Sequence, residues 1–311
     1  MLCLGIDTSN YTTSATLCRP GEEPRQRRQL LPVAAGERGL RQSEAVFAHV
    51  RQLENVLLPL LNEAEEPLSC VCASVSPRDG EASYMPVFRV GESQGRAIAA
   101  ALRIPFFPTT HQRGHIAAAR YASGLTADRF IALHLSGGTT DALLADGEAL
   151  TPLGTSADLH AGQLVDRIGV RLGLPFPAGP HLEALAKRGV CPDVIPVSMR
   201  GADCHLSGAE AQLLRLIEEG ETPENAAAAV YDVLCRTVLR LLCAAAEKTG
   251  VREVLLAGGV ASSPLLRELL QARNEKRRLG LTLHFGRPEF SGDNAVGCAL
   301  IGLEKQTKEN R

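Results

Sequence analysis

Several kinds of segment are missing from this chain of 311 residues, and each absence removes a class of function. No run of about 18 apolar residues occurs, so no stretch reads as a membrane-spanning helix. The opening MLCLGIDTS carries neither a positive flank nor a long apolar region, which argues against an export signal. Among the nine cysteines there is no C-x-x-C pair. Most of them lie in apolar runs, and Cys70-x-Cys72 falls inside an alternating strand pattern. Reduced, mostly buried thiols in a cytoplasmic protein are therefore expected.

Phosphate-binding signatures of the common kinds are missing too. Neither G-x-x-x-x-G-K-[ST] nor G-x-G-x-x-G occurs, which excludes a P-loop and a Rossmann fingerprint. Charge of one sign is not in excess: 33 Lys and Arg stand against 35 Asp and Glu, a net charge of -2. Such a balance gives no global pull toward nucleic acid or an anionic membrane, because that binding needs many cations to displace counterions. A local basic patch remains open in the polar segment 19–30, which holds Arg25, Arg27 and Arg28 and reads as an exposed loop.

What is present fits a soluble α/β protein. Hydrophobic residues make up 45%, with 29 Gly and 18 Pro, which is ordinary for a globular chain. The length favours two domains, since single cores seldom keep growing past roughly 250 to 300 residues. Strands are predicted at 2–6, 12–18, 70–75, 104–107, 130–135, 141–144, 254–256 and 281–285. Helices are predicted from Ser43 as N-cap, with an apolar face that includes Val46, Phe47, Val50 and Leu53, and at 91–102, 158–172, 209–219, 226–248, 264–271 and 294–303. Thr222 followed by Pro223 reads as a cap with proline at the first helical position. The stretch 172–180 reads as a Gly/Pro-rich stop, 189–209 as irregular and 305–311 as a frayed tail.

Strand, Gly/Ser/Thr turn and strand occur twice, at Leu2 to Cys18 and at Phe130 to Leu144. An internal duplication of one α/β domain is the economical reading. It predicts a first domain over 1–125, to which the helix at 291–305 returns as an option, and a second over 126–311 with an insert at 172–222.

His111 and His115 are four apart, so on a helix both imidazoles share one face. Neutral imidazole suits zinc or iron, and two histidines need a third ligand; Asp293, ahead of the last predicted helix, is the favoured carboxylate. Helix-capping or core histidines remain the alternative. Gln112 stands where a zinc metalloprotease places its glutamate, so peptide hydrolysis is disfavoured.

Gly-rich turns follow apolar strands at Gly5 to Ser9, at Ser136-Gly137-Gly138 and at Ala257-Gly258-Gly259. Glycine lets backbone N–H groups approach a phosphate or ribose, though tight turns alone also select it. Asp7 and Asp166 are the carboxylates placed to hold a cation or a catalytic water near phosphates. His160, His181 and His205 are weaker candidates.

Together these landmarks resemble, in order and over nearly the whole chain, the TsaD family, the tRNA threonylcarbamoyladenosine synthase component once called O-sialoglycoprotein endopeptidase. The resemblance implies a duplicated actin-like ATPase, sugar kinase and Hsp70 (ASKHA) fold with two domains and a central cleft. It also implies one divalent metal, iron or zinc, with ATP, ADP or threonylcarbamoyl-AMP and Mg2+. The reaction implied is transfer of a threonylcarbamoyl group to N6 of adenosine 37 in tRNA. Implied partners are tRNA, a non-catalytic paralogue and a small ATPase, with no membrane.

Residue by residue, His111, His115 and Asp293 match the metal ligands, and Ser136, Gly137 and Gly138 the turn toward the phosphates. Asp166, Gly179, Gly258 and Gly259 match residues cradling the nucleotide and ribose, and Thr8 and Ser9 match the opening strand turn. Asp7 and Asp166 carry the catalytic expectation. Six places depart from the pattern, one of them Gly162-Gln163 in place of the helix GE before Asp166. DTSNYTT replaces ETSCDET, and His111-Gln112-Arg113-Gly114-His115 replaces H-x-E-G-H. Thr139 replaces the histidine of SGGHT, Ser263 an asparagine facing the nucleotide, and the apolar glycine-rich loop becomes Ser76 to Gly91. These mark a divergent paralogue. Two alternatives accompany the transferase reading, a non-catalytic nucleotide-binding scaffold and an ATP-dependent phosphotransferase of the same superfamily.

Overall fold

Segments of period two and period 3.6 alternate along the chain, and in the computed structural model they assemble into two units, Met1–Tyr121 with Glu289–Arg311, and Ala122–Pro288. The structure describes residues 1–9, 11–32, 40–80, 85–192 and 194–309. Asn10 and residues 81–84 of the departing loop lie outside them.

In the first unit, β1 (Cys3–Asp7) pairs antiparallel with β2 (Thr12–Cys18), and β2 with β3 (Arg25–Leu30). The third strand corrects the loop expected over 19–30. It lies at the sheet edge with its outer half exposed, so backbone pairing holds it extended without the apolar alternation that marks a half-buried strand. Helix α1 (Gln42–Asn62) is capped at Arg41 rather than Ser43, and Phe47 and Val50 of the predicted apolar face are exposed. The buried face instead includes His49 and Gln52, which meet the Thr13 hydroxyl at 2.8 and 3.0 Å. A polar contact that satisfies buried groups is invisible to a hydrophobicity pattern.

Strand β4 (Cys70–Ser76) joins β1 in parallel, α2 (Phe88–Leu102) begins three residues before the predicted start, β5 (Phe106–Thr110) joins β4, and α3 (His111–Arg120) follows directly. The sheet order is β3-β2-β1-β4-β5.

The second unit opens with the meander β6 (Arg129–Leu135), β7 (Thr140–Asp146) and β8 (Ala149–Thr155). Then come α4 (Ala161–Arg171), α5 (Gly179–Ala186), the short hairpin of β9 (Ser198–Arg200) with β10 (Asp203–His205), and α6 (Ser207–Glu218). Three of these are absent from the sequence prediction. β8 has an exposed outer half and a proline; α5 uses Pro180 to start a helix where the composition suggests only a stop; and the hairpin strands have three residues each.

Helix α7 (Pro223–Thr249) begins on Thr222, whose hydroxyl accepts from the Asn225 N–H, and buries Val230, Leu234, Val238 and Leu241 as its periodicity predicts. β11 (Glu253–Ala257), α8 (Pro264–Arg277) and β12 (Thr282–Phe285) complete the sheet in the order β12-β11-β6-β7-β8. This repeats the first sheet: an antiparallel meander of three strands, then two parallel strands on the other side of the first. The chain ends in α9 (Val296–Glu309), which packs on β1 and α3 and continues six residues past the predicted end at Leu303. Residues 310 and 311 of the expected tail lie outside the described set.

Cys3, Cys18, Cys70 and Cys72 of the sheet form a buried cluster with Cys298 of α9, and all nine cysteines are free thiols. Burial pushes the Cys18 and Cys72 thiols up to about 12, which makes them inert packing groups. Among the described residues no helix is long and apolar enough to cross a membrane.

Candidate metal centre and nucleotide cavity

Thr110 caps α3 by accepting the Arg113 N–H at 3.3 Å, which puts His111 in the first helical position and His115 one turn on. Their Nε2 atoms stand 3.0 Å apart, with ring centroids at 4.3 Å in an edge-to-face pose. Asp293 closes the set, its Oδ1 at 3.6 Å from His111 Nε2 and 3.4 Å from His115 Nε2.

Close helix packing brings this acid in from the far end of the chain. A Cβ on Gly297 would stand 1.8 Å from the Gly114 carbonyl oxygen, so α9 can lie against α3 only because position 297 has no side chain. Asn294 then shapes the turn before α9: its amide donates to the Phe290 and Gly292 carbonyls at 2.9 and 2.6 Å, and its oxygen accepts the Val296 N–H at 2.9 Å.

His111, His115 and Asp293 are grouped so that one ligand atom from each lies within 4.8 Å of the others. Two ring nitrogens this close, both facing a carboxylate, need a proton or a cation between them. The separations suit three ligands at about 2.0–2.2 Å from one ion, and two imidazoles with one carboxylate leave coordination positions open. The residues therefore fit a divalent metal.

Asp7 stands behind His111. Its Oδ2 meets His111 Nδ1 at 2.9 Å, and its Oδ1 accepts the Ser9 N–H at 2.8 Å and the Ser9 hydroxyl. A carboxylate on Nδ1 fixes the tautomer and points the Nε2 lone pair outward. Burial disfavours charge on His111, but Asp7 and Asp293 outweigh it and raise the imidazole to about 10 in the metal-free chain. Burial and the neighbouring His111 charge hold His115 below its ordinary value. Asp7 and Asp293 resist burial and stay below the usual carboxylate range through their histidine contacts.

Thr8 and Ser9, expected at the nucleotide, are buried with their hydroxyls bonded within the chain. Thr8 donates to the Val87 carbonyl at 2.9 Å and accepts the Gly91 N–H at 3.0 Å, while Ser9 serves Asp7. Arg28 is a neighbour that sequence reasoning misses, because its strand lacks a strand pattern: Nη1 lies 3.5 Å from where a Cβ on Gly292 would be, beside the metal turn.

The second unit holds a cavity of about 410 Å³ lined by Gly137, Asp166, Gly179, Gly259 and Ser263, five of the residues expected at the nucleotide. Ser136, Gly138 and Gly258 are not in the lining. Ser136 shapes the turn, with its N–H on the Thr139 carbonyl at 2.9 Å and its carbonyl accepting the Gly162 N–H at 3.1 Å. Gly138 is exposed next to Gly137. Gly258 is buried at φ +97°, where a Cβ would stand 2.3 Å from the Leu135 oxygen, so it seats the end of β11 on β6.

Asp166 accepts the Ala178 N–H at 2.8 Å, and burial raises its carboxyl while that bond opposes the rise. It makes no pair with Arg167 or Arg171, which reach Glu210 and Glu218. The Ser263 hydroxyl caps α8 by accepting the Leu266 N–H at 3.2 Å. Tyr231 and Glu183 also line the cavity. Each carries a polar tip on an otherwise core-facing helix, and no spacing signal distinguishes them from packing residues.

A family model for tRNA N6-adenosine threonylcarbamoyltransferase, TsaD, matches residues 38–300. A tRNA N6-adenosine threonylcarbamoyltransferase from Methanopyrus kandleri is 29% identical over 311 aligned residues, covering 97% of this chain and 87% of that one. Among solved structures, HypF of T. kodakarensis aligns over 99% of this chain and 48% of its own, with TM-score 0.66 and 17% identity. A ROK family glucokinase from Streptomyces griseus aligns over 98% and 100%, with TM-score 0.58 and 12% identity. These two share the fold, a duplicated α/β architecture of the ASKHA kind. The matched span takes in His111, His115, Asp293 and every lining residue of the cavity, and the chain belongs to the TsaD family of tRNA N6-adenosine threonylcarbamoyltransferases.

Proposed function

We propose that the chain transfers a threonylcarbamoyl group from an adenylate donor to N6 of an adenosine in tRNA, with one divalent metal at His111, His115 and Asp293. The observation that carries the site assignment is the convergence of two Nε2 atoms and one carboxylate oxygen, with Asp7 fixed behind His111. Iron and zinc both suit this donor set. When bound, the metal would supply positive charge that polarises an oxygen ligand.

The remaining work falls to the chain. The adenosine amine attacks the carbamoyl carbon; the new N6–C bond forms, the C–O bond to the adenylate phosphate breaks, AMP leaves, and N6 gives up one proton. In the second unit the cavity takes the adenylate half. Gly137 and Gly259 bring backbone close to it, the N-terminal ends of α4 and α8 favour the phosphate, and Tyr231 closes the apolar side. Asp166, raised by burial at the same cavity, is suited to accept or share a proton with a ribose hydroxyl. Asp7 acts as a positioning residue, holding His111 in one tautomer.

The test has two parts. Purified wild-type protein is expected to hold a stoichiometric divalent metal that His115→Ala and Asp293→Ala lose. Supplied with threonylcarbamoyl-AMP and unmodified tRNA, together with a paralogue and a small ATPase of the kind the family pairs with, it is expected to form modified adenosine. Metal binding without modified adenosine would favour a nucleotide-binding scaffold, and a metal-free wild type prepared under reducing, anaerobic conditions would overturn the site.

A further inference from the structure

Two departures from the family pattern, far apart in sequence, meet in space. Arg113 takes the place of an acid between the two metal histidines, and Asp79 lies in the loop that replaces an apolar glycine-rich one. Arg113 Nε donates to Asp79 Oδ1 at 3.0 Å and Nη2 to Asp79 Oδ2 at 2.6 Å, a two-pronged guanidinium–carboxylate contact. Beside it the Gln112 N–H donates to the Pro77 carbonyl at 3.0 Å, so the loop also satisfies a backbone donor of the first turn of α3 that no helical carbonyl reaches. Ser76 stiffens the loop by donating its hydroxyl to the Arg78 carbonyl at 3.2 Å.

We infer that Asp79 and Arg113 are paired positioning residues, a latch that ties the loop after β4 to the metal helix and neutralises the cation that Arg113 introduces there. The inference rests on the metal-centre reading only for its electrostatic half. Two positions along α3 from either histidine, Arg113 does not share their face, but an unpaired cation on the same short helix still opposes a divalent ion through space. With Asp79 attached, the net charge of the pair is zero, and the opposition falls to that of a dipole. A single exposed ion pair contributes little, but the two-pronged geometry and the adjacent backbone bond make this contact one cooperative unit. The replacement of the acidic residue and the replacement of the loop are thus one compensated change.

The latch is tested in the full chain with Asp79→Asn, Arg113→Gln, the double variant and the exchange Asp79→Arg with Arg113→Asp. In metal-free protein, amide exchange at Gln112 is expected to rise about twofold to fivefold in either single variant. It should rise no further in the double variant and return toward wild type in the exchange. Independent, additive effects of the two singles, or none, would overturn the latch. In chelator competition with zinc, Asp79→Asn is expected to weaken metal binding on the order of threefold to tenfold at low salt and less at high salt. Arg113→Gln should leave zinc affinity equal or tighter, and the double variant should follow Arg113→Gln. Equal weakening by both singles would overturn the electrostatic half. Coupled exchange in a chain that binds no zinc would uphold the loop tie and count against the metal centre alone.

Discussion

The turn between β1 and β2 and the turn between β6 and β7 occupy the same place in a repeated topology, yet they are put to opposite uses. In the first unit, Asp7, Thr8 and Ser9 are buried, and the Thr8 and Ser9 hydroxyls are both bonded within the chain. In the second, Gly137 and Gly138 are exposed, and Gly137 lines a cavity. A turn of polar side chains backs a histidine, while a turn of glycines leaves bare backbone beside a cavity. Duplication supplied the frame; residue size and the presence of a carboxylate decided what each copy can hold.

Separating the two turns begins with the largest effect. Gly297→Ala is expected to force α9 off α3, since its Cβ would overlap the Gly114 carbonyl, and to abolish the metal site along with activity. Metal analysis and turnover check this, and a loaded, active variant would show that Asp293 does not depend on that approach. Asp7→Asn is next: it keeps the fold but loosens His111, and metal affinity should fall about tenfold to a hundredfold. The matching change in the second unit, Gly137→Ala, has open space around it and should leave metal affinity unchanged while weakening nucleotide binding in calorimetry.

Smaller in binding but visible in stability, Gly258→Ala meets both a left-handed backbone and the Leu135 carbonyl, and should cost about 1–3 kcal/mol in denaturant unfolding. The least effect is a pH trend in the metal-free chain. His111 is raised to about 10, so its stabilisation is complete below its unfolded value near 6.5 and is lost as pH rises toward 10. His115, Asp7 and Asp293 are lowered, so they lose stability as pH falls, His115 from about 6.5 downward and the acids from about 4. Thermal unfolding of metal-free protein should therefore peak near pH 6.5, and metal loading, which needs neutral imidazoles, should extend the plateau to higher pH and release protons on binding.

How much of this is readable from residues alone varies with the kind of signal. The fully buried strands and the long helix α7 announce themselves by periodicity, and Thr222-Pro223 marks a helix start that the structure keeps. Strand β3 does not, because an edge strand rich in arginine is held by its neighbour's backbone and not by its own side chains. Ser43 looks like a cap, but α1 begins before it. At the metal centre, the spacing of His111 and His115 predicts a shared face, and Asp293 is the favoured third group. Asp7 is expected near phosphates, whereas the structure sets it against His111 Nδ1. Arg113, read in isolation, puts a positive charge beside the metal helix; its partner Asp79 is 34 residues away in sequence.

By itself the sequence determined the α/β class, the repeat, the paired histidines and the glycine turns, because local periodicity, four-residue spacing and the lack of a side chain act over a few residues. Only the tertiary structure decided that α9 returns to α3 through Gly114 and Gly297, that Asp7 stands behind His111, and that Arg113 is neutralised by Asp79. Those outcomes depend on which surfaces fit together and which buried polar groups find partners, and neither condition is written in any one segment of the chain.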